Sequence, residues 1–254
     1  MESNISKRLA GQVAVVTGSS KGIGAAIAKA FAKEGASVVI NYSSSKESAE
    51  KIADEIQDFG GKAIIVKADM SDVNEIEAMF AQTQEAFGKL DILVNNAGVY
   101  DFQPLENLTL ENFRKHFELN VFGYLSAIRC ALPYFGNDGG SIINMSSNVT
   151  IFGPENASVY TATKGAIDGL TRALSNELAP RKLRVNTIKP GVVDTEGVVA
   201  GGFLHSEFGD HTKQETPLGR LGIPDDVSPA AVYLASSESS WMTGESIIMS
   251  GGQR

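Results

Sequence analysis

Tyr160 and Lys164 stand four residues apart, a spacing that on a helix stacks two side chains on one face, one turn apart. A free tyrosine titrates near ~10 and is a poor acid or base at neutral pH. An ammonium beside it favours the phenolate and lowers that value. A tyrosine tuned toward the working pH can protonate the oxygen of a carbonyl while a hydride reaches its carbon. Helices carry many such pairs by accident, so this pair gains meaning only from its company. That company begins with Thr17, Gly18, Ser19, Ser20, Lys21, Gly22, Ile23 and Gly24. Glycines there permit a tight turn and let a pyrophosphate approach backbone N–H groups at a helix N-terminus, where the dipole favours anions. The spacing is not G-x-G-x-x-G. Its position between a strand and a helix supports a phosphate site over a bare turn.

The elements that must position these groups are legible as an alternation. Short β-branched runs at 13–16, 37–40, 63–66, 92–94, 141–144 and 185–188 read as strands, and 246–249 as a last one closing an edge. They show no polar alternation, so both faces are expected to be buried, as in a parallel sheet covered by helices. Helical patterns fall between them, at 23–34, 46–59, 72–87, 110–134 and 158–179. Ala25, Ala26, Ile27, Ala30 and Phe31 give the first of these an apolar stripe. Right-handed βαβ crossovers then predict an α/β fold: a Rossmann-type, doubly wound parallel sheet of about seven strands with helices on both faces. No Pro/Ser-rich tract or charge block marks a linker, so residues 1–254 read as a single dinucleotide-binding and catalytic domain. The least regular stretch, 191–217, carries Gly191, Gly197, Gly201, Gly202 and Gly209 and is expected to form a substrate lid.

Composition excludes several function classes. Hydrophobic residues are 43% and charged ones 20%, the balance of a soluble globular chain with a sizeable core rather than a disordered one. No apolar run approaches the roughly 18 residues of a membrane helix, and the start lacks the apolar block of a signal peptide. Cys130 is the only cysteine, so an internal disulfide is impossible and a reducing cytoplasm is expected. The net charge of −8 repels phosphate backbones, so nucleic acid is not an expected partner.

With three further motifs, the turn at 17–24 makes the chain resemble the short-chain dehydrogenase/reductase family, whose T-G-x-x-x-G-I-G pattern it matches position by position. In order, these are Asn95-Asn96-Ala97-Gly98 after the fourth strand, Tyr160 with Lys164 opening a helix, and Pro190-Gly191 after the sixth strand. The resemblance runs over residues 9–252 and implies an NAD(P)-dependent oxidoreductase acting on CH–OH or C=O groups. Ser147 lies thirteen residues before Tyr160, the family's separation, and ends the strand expected over 142–147. Its implied role is to hydrogen-bond and polarise the substrate oxygen, whereas Ser146 points to the opposite face. Asn120 matches the family asparagine whose carbonyl holds a water in a proton relay behind the lysine. Lys164 is implied to bond the nicotinamide ribose as well as to tune Tyr160.

The implied cofactor contacts start in the turn, with Gly18, Ser20, Lys21, Gly22, Ile23 and Gly24. At the end of the second strand, Asn41, Tyr42 and Ser43 offer hydroxyls and an amide. No carboxylate is present there to hold a ribose 2′-OH or repel a 2′-phosphate. With Lys21 in the turn, this points to NADP(H), and to NAD(H) as a weaker alternative. Asp69 and Met70 are implied to contact adenine, although Asp69 equally suits the cap of a helix starting near Ser71; both roles can coexist. Asn96, Ala97 and Gly98 are implied to line the adenosine ribose. Pro190, Gly191, the Val193 backbone and the Thr195 hydroxyl are implied to orient the carboxamide.

The expected reaction is NADPH-dependent reduction of a carbonyl on a small molecule, or the reverse oxidation of a secondary alcohol. A β-ketoacyl carrier-protein reductase and a sugar or polyol dehydrogenase are alternatives. A non-catalytic NADP(H)-binding sensor is another, against which the full set of Asn120, Ser147, Tyr160 and Lys164 argues. A carrier protein calls for a basic patch, whereas the connection 136–140 carries an acid and no base. Phe152, Phe203, Leu204 and Phe208 read either as an apolar substrate pocket or as lid packing. No His, Cys or Asp cluster has metal-ligand spacing. His116 reads as a surface or packed histidine, and Trp241 as packed beside the last strand. Helices 110–134 and 158–179 carry apolar faces that serve either the core or, as usual in the family, a homotetramer.

Overall fold

The computed structural model describes residues 7–200 and 207–253. The chain runs β1 (Val13–Val16), α1 (Gly22–Lys33), β2 (Ser37–Tyr42), α2 (Lys46–Asp58), β3 (Lys62–Lys67), α3 (Val73–Phe87), β4 (Ile92–Asn95), α4 (Leu110–Phe117) and α5 (Gly123–Ala131). It continues with β5 (Gly140–Met145), α6 (Val149–Phe152), α7 (Ser158–Leu178), β6 (Leu183–Pro190), α8 (Glu196–Ala200), α9 (Glu207–Glu215), α10 (Pro224–Ala235) and β7 (Ser246–Met249). The strands form one parallel sheet in the order β3-β2-β1-β4-β5-β6-β7, the expected architecture. Because the chain leaves β1 toward β2 on one side and later returns to β4 on the other, a crevice opens at the carboxyl ends of β1 and β4.

Alternate side chains of each strand feed two cores, as the pleat requires. Ala14, Val16, Ile143 and Met145 pack under α1, α2 and α10, whereas Val15, Leu93 and Ile142 pack under α3 and α5. Burial on both faces holds for the central strands and fails at the edges, where Lys62, Lys67, Ser246 and Ile248 are exposed.

The helix expected over 110–134 is interrupted. A π-turn over Glu118–Phe122 separates α4 from α5, and Pro133 falls in a 3-10 turn that ends the run. The wide turn carries Asn120 inward, fully buried. At its far end, a Cβ on Gly123 would collide with the carbonyl oxygen of Met70. The cap of α3 is Asp72, whose carboxylate accepts from Asn74 N and Glu75 N at 2.8 and 3.3 Å. Asp69 instead accepts from the Ser71 N–H and hydroxyl at 2.9 and 2.7 Å, so it shapes the turn before the cap.

Trp241 is fully exposed rather than packed beside β7; the 3-10 turn at Ser237–Ser239 buries Ser239 and leaves the indole outside. The stretch 191–217 holds α8 and α9. Gly201, Gly202, Phe203, Leu204 and His205, as well as residues 1–6, lie outside the described residues, as does the side chain of Phe208. Among the described residues, no helix is long and apolar enough to cross a membrane.

Two glycine substitutions separate helix propensity from close approach. Gly165 in α7 has no atom within 4 Å of its Cβ position, so Gly165→Ala is expected to stabilise by about 0.5–1 kcal/mol. Gly123→Ala pushes a methyl into a backbone carbonyl and is expected to destabilise by about 1–3 kcal/mol. Urea unfolding of the two variants should show midpoints moving in opposite directions.

Candidate active site

The turn after β1 is held by its own backbone geometry. Gly18 and Gly22 sit at φ of +60° and +59°, which L side chains rarely adopt. A Cβ on Gly18 would lie 2.8 Å from Ala97 Cα, and one on Gly24 would lie 2.5 Å from Asn96 Nδ2. The turn is stitched to the end of β4. Thr17 Oγ1 accepts from Asn96 N and Ala97 N at 2.9 and 3.0 Å, and Asn96 Nδ2 donates to Thr17 O at 2.9 Å.

Asn41 braces the same turn from β2. Its Oδ1 accepts from Gly18 N at 2.9 Å and its Nδ2 donates to Ala68 O at 3.0 Å. This corrects the expectation of a free amide for a phosphate: the amide is already satisfied by backbone. Ser43 and Lys21 remain exposed beside it.

These residues line a cavity of about 340 Å³ that gathers Gly18, Ser20, Lys21, Gly22, Ile23, Gly24, Asn41, Tyr42, Ser43, Asp69, Met70, Asn96, Ala97, Gly98 and Thr195. A second cavity, about 240 Å³, gathers Ser147, Tyr160, Lys164, Pro190, Gly191 and Val193. The two share Ile23, Asn96, Gly98, Val99, Tyr100 and Thr195, so they form one cleft along the carboxyl ends of the strands. Sequence reasoning missed Glu196, whose Oε2 accepts from Gly22 N at 3.0 Å. An acidic residue directly after Thr195 was the available signal. Its carboxylate shows that this N–H at the start of α1 takes an anion, which is what a pyrophosphate site needs.

Ser147 lies just past the strand: β5 ends at Met145, although Ser146 N and Asn148 N still donate to Ile188 O and Pro190 O of β6 at 2.9 and 3.0 Å. The Ser147 hydroxyl accepts from Val149 N at 3.3 Å and acts on Tyr160 in the direction that lowers its pKa. Ser146 faces the other way, donating to Lys164 O at 3.2 Å. Lys164 is buried and its Nζ donates to Met145 O at 2.8 Å, 5.6 Å from the centre of the Tyr160 ring. Asn120 lines neither cavity. It stands behind them, its Nδ2 donating to Val99 O and Thr163 Oγ1 at 2.8 and 3.2 Å and its Oδ1 accepting from Val99 N at 2.8 Å.

The electrostatics differ from the sequence expectation in sign. Burial pushes Tyr160 up to about 12; Ser147 pulls it down by less, and Tyr100 adds to the rise. Burial also pulls Lys164 down to about 8, against the opposing pull of Asp168. The ammonium is directed at the Met145 carbonyl, and desolvation of the phenol outweighs any help from it.

Two further residues escaped the sequence reading. The rings of Tyr100 and Phe102 lie 6.3 and 5.8 Å from that of Tyr160, centre to centre, and both line the smaller cavity. They follow the Asn95–Gly98 motif two residues apart, and both face the same cavity. Among the described residues lining that cavity, Lys164 is the only one with a charged side chain.

Comparison with known proteins matches residues 18–254 to a family described as enoyl-(acyl carrier protein) reductase. The chain is similar to an oxidoreductase of Methylorubrum extorquens, at 49% identity over 97% of this chain and 99% of that protein. It is 35% identical to a hydroxynaphthalene reductase-like protein of Metarhizium majus, over 97% of this chain and 96% of the other. Among solved structures, a short-chain dehydrogenase from Burkholderia cenocepacia in complex with NADP superposes with a TM-score of 0.90. It shares 34% identity and covers 97% of this chain and 99% of its own.

Glu196 competes for the N–H that a pyrophosphate would use. Glu196→Gln removes the negative charge and is expected to lower the Kd for NADPH by about two- to fivefold at low salt, on the scale of a charge at a helix terminus. Fluorescence titration checks this, and weaker binding by the variant would show that the carboxylate helps instead.

Proposed function

The chain belongs to the short-chain dehydrogenase/reductase family, and on that premise we propose that it reduces an uncharged ketone borne on an aromatic ring system, using NADPH. It is an oxidoreductase acting on CH–OH and C=O groups, so the reverse oxidation is the same chemistry. The observation that carries the substrate reading is the wall of rings: Tyr100 and Phe102 stand around Tyr160 in a cavity where, among the described residues, Lys164 is the only charged side chain. Phe152, Pro154 and Val198 extend this apolar lining. A cationic substrate would find no side chain of opposite charge among the described lining residues. The hydroxynaphthalene reductase-like relative supports the same class.

When bound, the cofactor supplies the hydride. The residues that would hold it are Gly18, Ser20, Lys21, Gly22, Ile23 and Gly24 at the phosphates, with Ser43 near the 2′-phosphate. Asp69, Met70, Asn96, Ala97 and Gly98 would take the adenosine half. Pro190, Gly191, Val193 and Thr195 would take the nicotinamide half, and Asn41 and Tyr42 would shape the wall between. Tyr160 donates its hydroxyl proton to the carbonyl oxygen, which Ser147 holds by a second hydrogen bond. Lys164 would bond the ribose and keeps a positive charge under Tyr160. Asn120 fixes the turn behind Lys164, where its carbonyl serves the proton relay.

The NADP complex of the Burkholderia structure and the exposed Lys21 support NADP(H), with NAD(H) as a weaker cofactor. We read the whole chain as one domain in which 191–217 is the lid. Exposed Phe113 and Phe122 on one side and Trp241 and Ile248 on another support a homotetramer. The carrier-protein alternative gains nothing from the acidic 136–140 connection, because that connection enters β5 from its amino end, away from the cleft. The free thiol of Cys130 suits a reducing cytoplasm.

A screen of NADPH oxidation over aryl ketones, aliphatic ketones, sugars and β-ketoacyl thioesters is expected to give the highest kcat/KM with aryl ketones. Binding of NADPH without turnover on any of them would point to a sensor. In Tyr160→Phe, packing is kept and the proton donor is lost, so kcat should fall about 10²-fold or more. Lys21→Ala should raise the KM for NADPH far more than that for NADH, and equal effects on both would reject the cofactor preference.

A further inference from the structure

Lys164 carries its charge inside the protein. Among the described residues it forms no ion pair, and its Nζ is held by one hydrogen bond, to Met145 O at 2.8 Å. Burial pulls it down to about 8. The titratable and polar groups around it come from several elements. α7 contributes Tyr160 one turn before it and Asp168 one turn after it, and the Asp168 carboxylate is taken by Lys189 of β6 at 2.6 Å. β5 contributes the Met145 carbonyl, with the Ser146 hydroxyl turned to the Lys164 backbone. The π-turn contributes the neutral amide of Asn120, bonded to Val99 and Thr163, and Tyr100 stands against the Tyr160 ring. α5 contributes Tyr124.

Tyr124 is buried and meets Lys164 in two ways. Its ring lies under the ammonium, with Nζ 5.5 Å from the ring centre, as close as the 5.6 Å to the Tyr160 ring. Its hydroxyl donates at 3.3 Å to Met145 O, the same oxygen that accepts from Nζ. A carbonyl oxygen has two lone pairs, so both donors are served and one atom holds the ring and the ammonium together. Burial pushes the Tyr124 hydroxyl up, and Tyr160 adds to the rise, so Tyr124 is a neutral donor and not an anion. What it offers a cation is the negative face of its ring, an attraction that is stronger out of water than at a surface. A ring face also consumes no N–H. One of the three Nζ donors is spent on Met145 O, and among the described residues nothing takes the other two, which a carboxylate at Nζ would have claimed.

We propose that Tyr124 is a positioning residue for Lys164: its ring face keeps the buried ammonium charged, and its hydroxyl shares Met145 O with it, leaving two N–H donors of Nζ for the cleft. The inference deepens the proposed reaction and rests on its reading of Lys164 as the charged partner of Tyr160. Variants at one position separate the ring face from packing. Tyr124→Phe keeps the ring and should leave the Lys164 titration within about 0.3 pH units of the wild type. Pentafluorophenylalanine in place of Tyr124 keeps the shape, while its fluorines reverse the charge of the ring face. Lys164 should then lose its proton about one pH unit lower, the scale of a desolvated cation–π contact. Tyr124→Leu, which has no ring, should shift the titration in the same direction.

Heteronuclear NMR of lysine-¹⁵N-labelled full-length protein, with neither cofactor nor substrate added, reads the titration directly, with Lys164 identified by the signal absent from Lys164→Met. In ketone reduction with NADPH, the alkaline limb of kcat/KM should move to lower pH in the fluorinated variant and in Tyr124→Leu, and stay in place in Tyr124→Phe. If the fluorinated variant fails to fold, Tyr124→Leu against Tyr124→Phe gives the same signed comparison. Equal Lys164 titrations across the folded variants, with only Tm lowered, would overturn the proposal and leave Tyr124 a packing residue. Absence of turnover on every ketone would instead reject the proposed reaction, while the NMR titration would still decide the role of Tyr124.

Discussion

A lysine ammonium buried under a tyrosine is the constraint on which the rest of the site depends. Burying a charge is expensive unless it is hydrogen-bonded and paired. Lys164 Nζ meets that demand with one carbonyl, Met145 O, which is available because β5 stops there and the chain turns toward α6. The same oxygen accepts from the Tyr124 hydroxyl at 3.3 Å, so α5 is drawn to the point where α7 is tied. Ser146 then bonds back to the Lys164 carbonyl. With Lys164 fixed, Tyr160 is fixed one turn earlier on the same helix face, and Ser147 reaches it from the loop that leaves Met145.

The rest of the scaffold transmits that anchoring to the nucleotide half of the cleft through side-chain amides and hydroxyls. Asn95 Nδ2 donates to Asn144 Oδ1 at 2.9 Å, Asn144 Nδ2 donates to Thr171 Oγ1 at 3.0 Å, and Thr187 Oγ1 donates to Thr171 Oγ1 at 2.7 Å. This buried chain crosses β4, β5, α7 and β6 in one layer. Asn96, next along from Asn95, is bonded to Thr17 and Gly18 of the phosphate turn. One member of this network is left over: Asn95 Oδ1 is buried with no hydrogen-bond partner among the described residues, which is the costly state for a buried network. Through Asn95 and Asn96 the Asn95–Gly98 motif ties the glycine turn to the helix that carries Tyr160 and Lys164.

Most of the fold was legible because parallel central strands leave an unbroken apolar signature, and because Gly, Tyr and Lys at fixed offsets have few structural uses. What was not legible depended on contacts between segments far apart in sequence. The π-turn at Glu118–Phe122 has no compositional marker; it exists because Asn120 must face Val99 and Thr163 while Gly123 clears Met70. Asn41 looked like a free donor until the Gly18 N–H and the Ala68 carbonyl were found to occupy it. Trp241 was expected to be packed because large indoles usually are, yet it sits on a turn whose inward position is taken by Ser239. The rise of Tyr160 reflects desolvation, which a spacing argument does not contain.

That rise also gives the site a direction. With Tyr160 near 12 and Lys164 near 8, the lysine loses its proton first as the pH climbs, and the phenol stays protonated through the neutral range. In the proposed reduction, a protonated tyrosine beside a charged lysine is the arrangement that would donate to a carbonyl oxygen. The reverse reaction needs a phenolate, and nothing among the described side chains around Tyr160 favours one strongly enough to offset burial. A positive charge brought close to the hydroxyl would lower the tyrosine. For the reduction proposed above, the protein's own groups keep Tyr160 protonated, and a phenolate in the neutral range would need positive charge from outside the polypeptide.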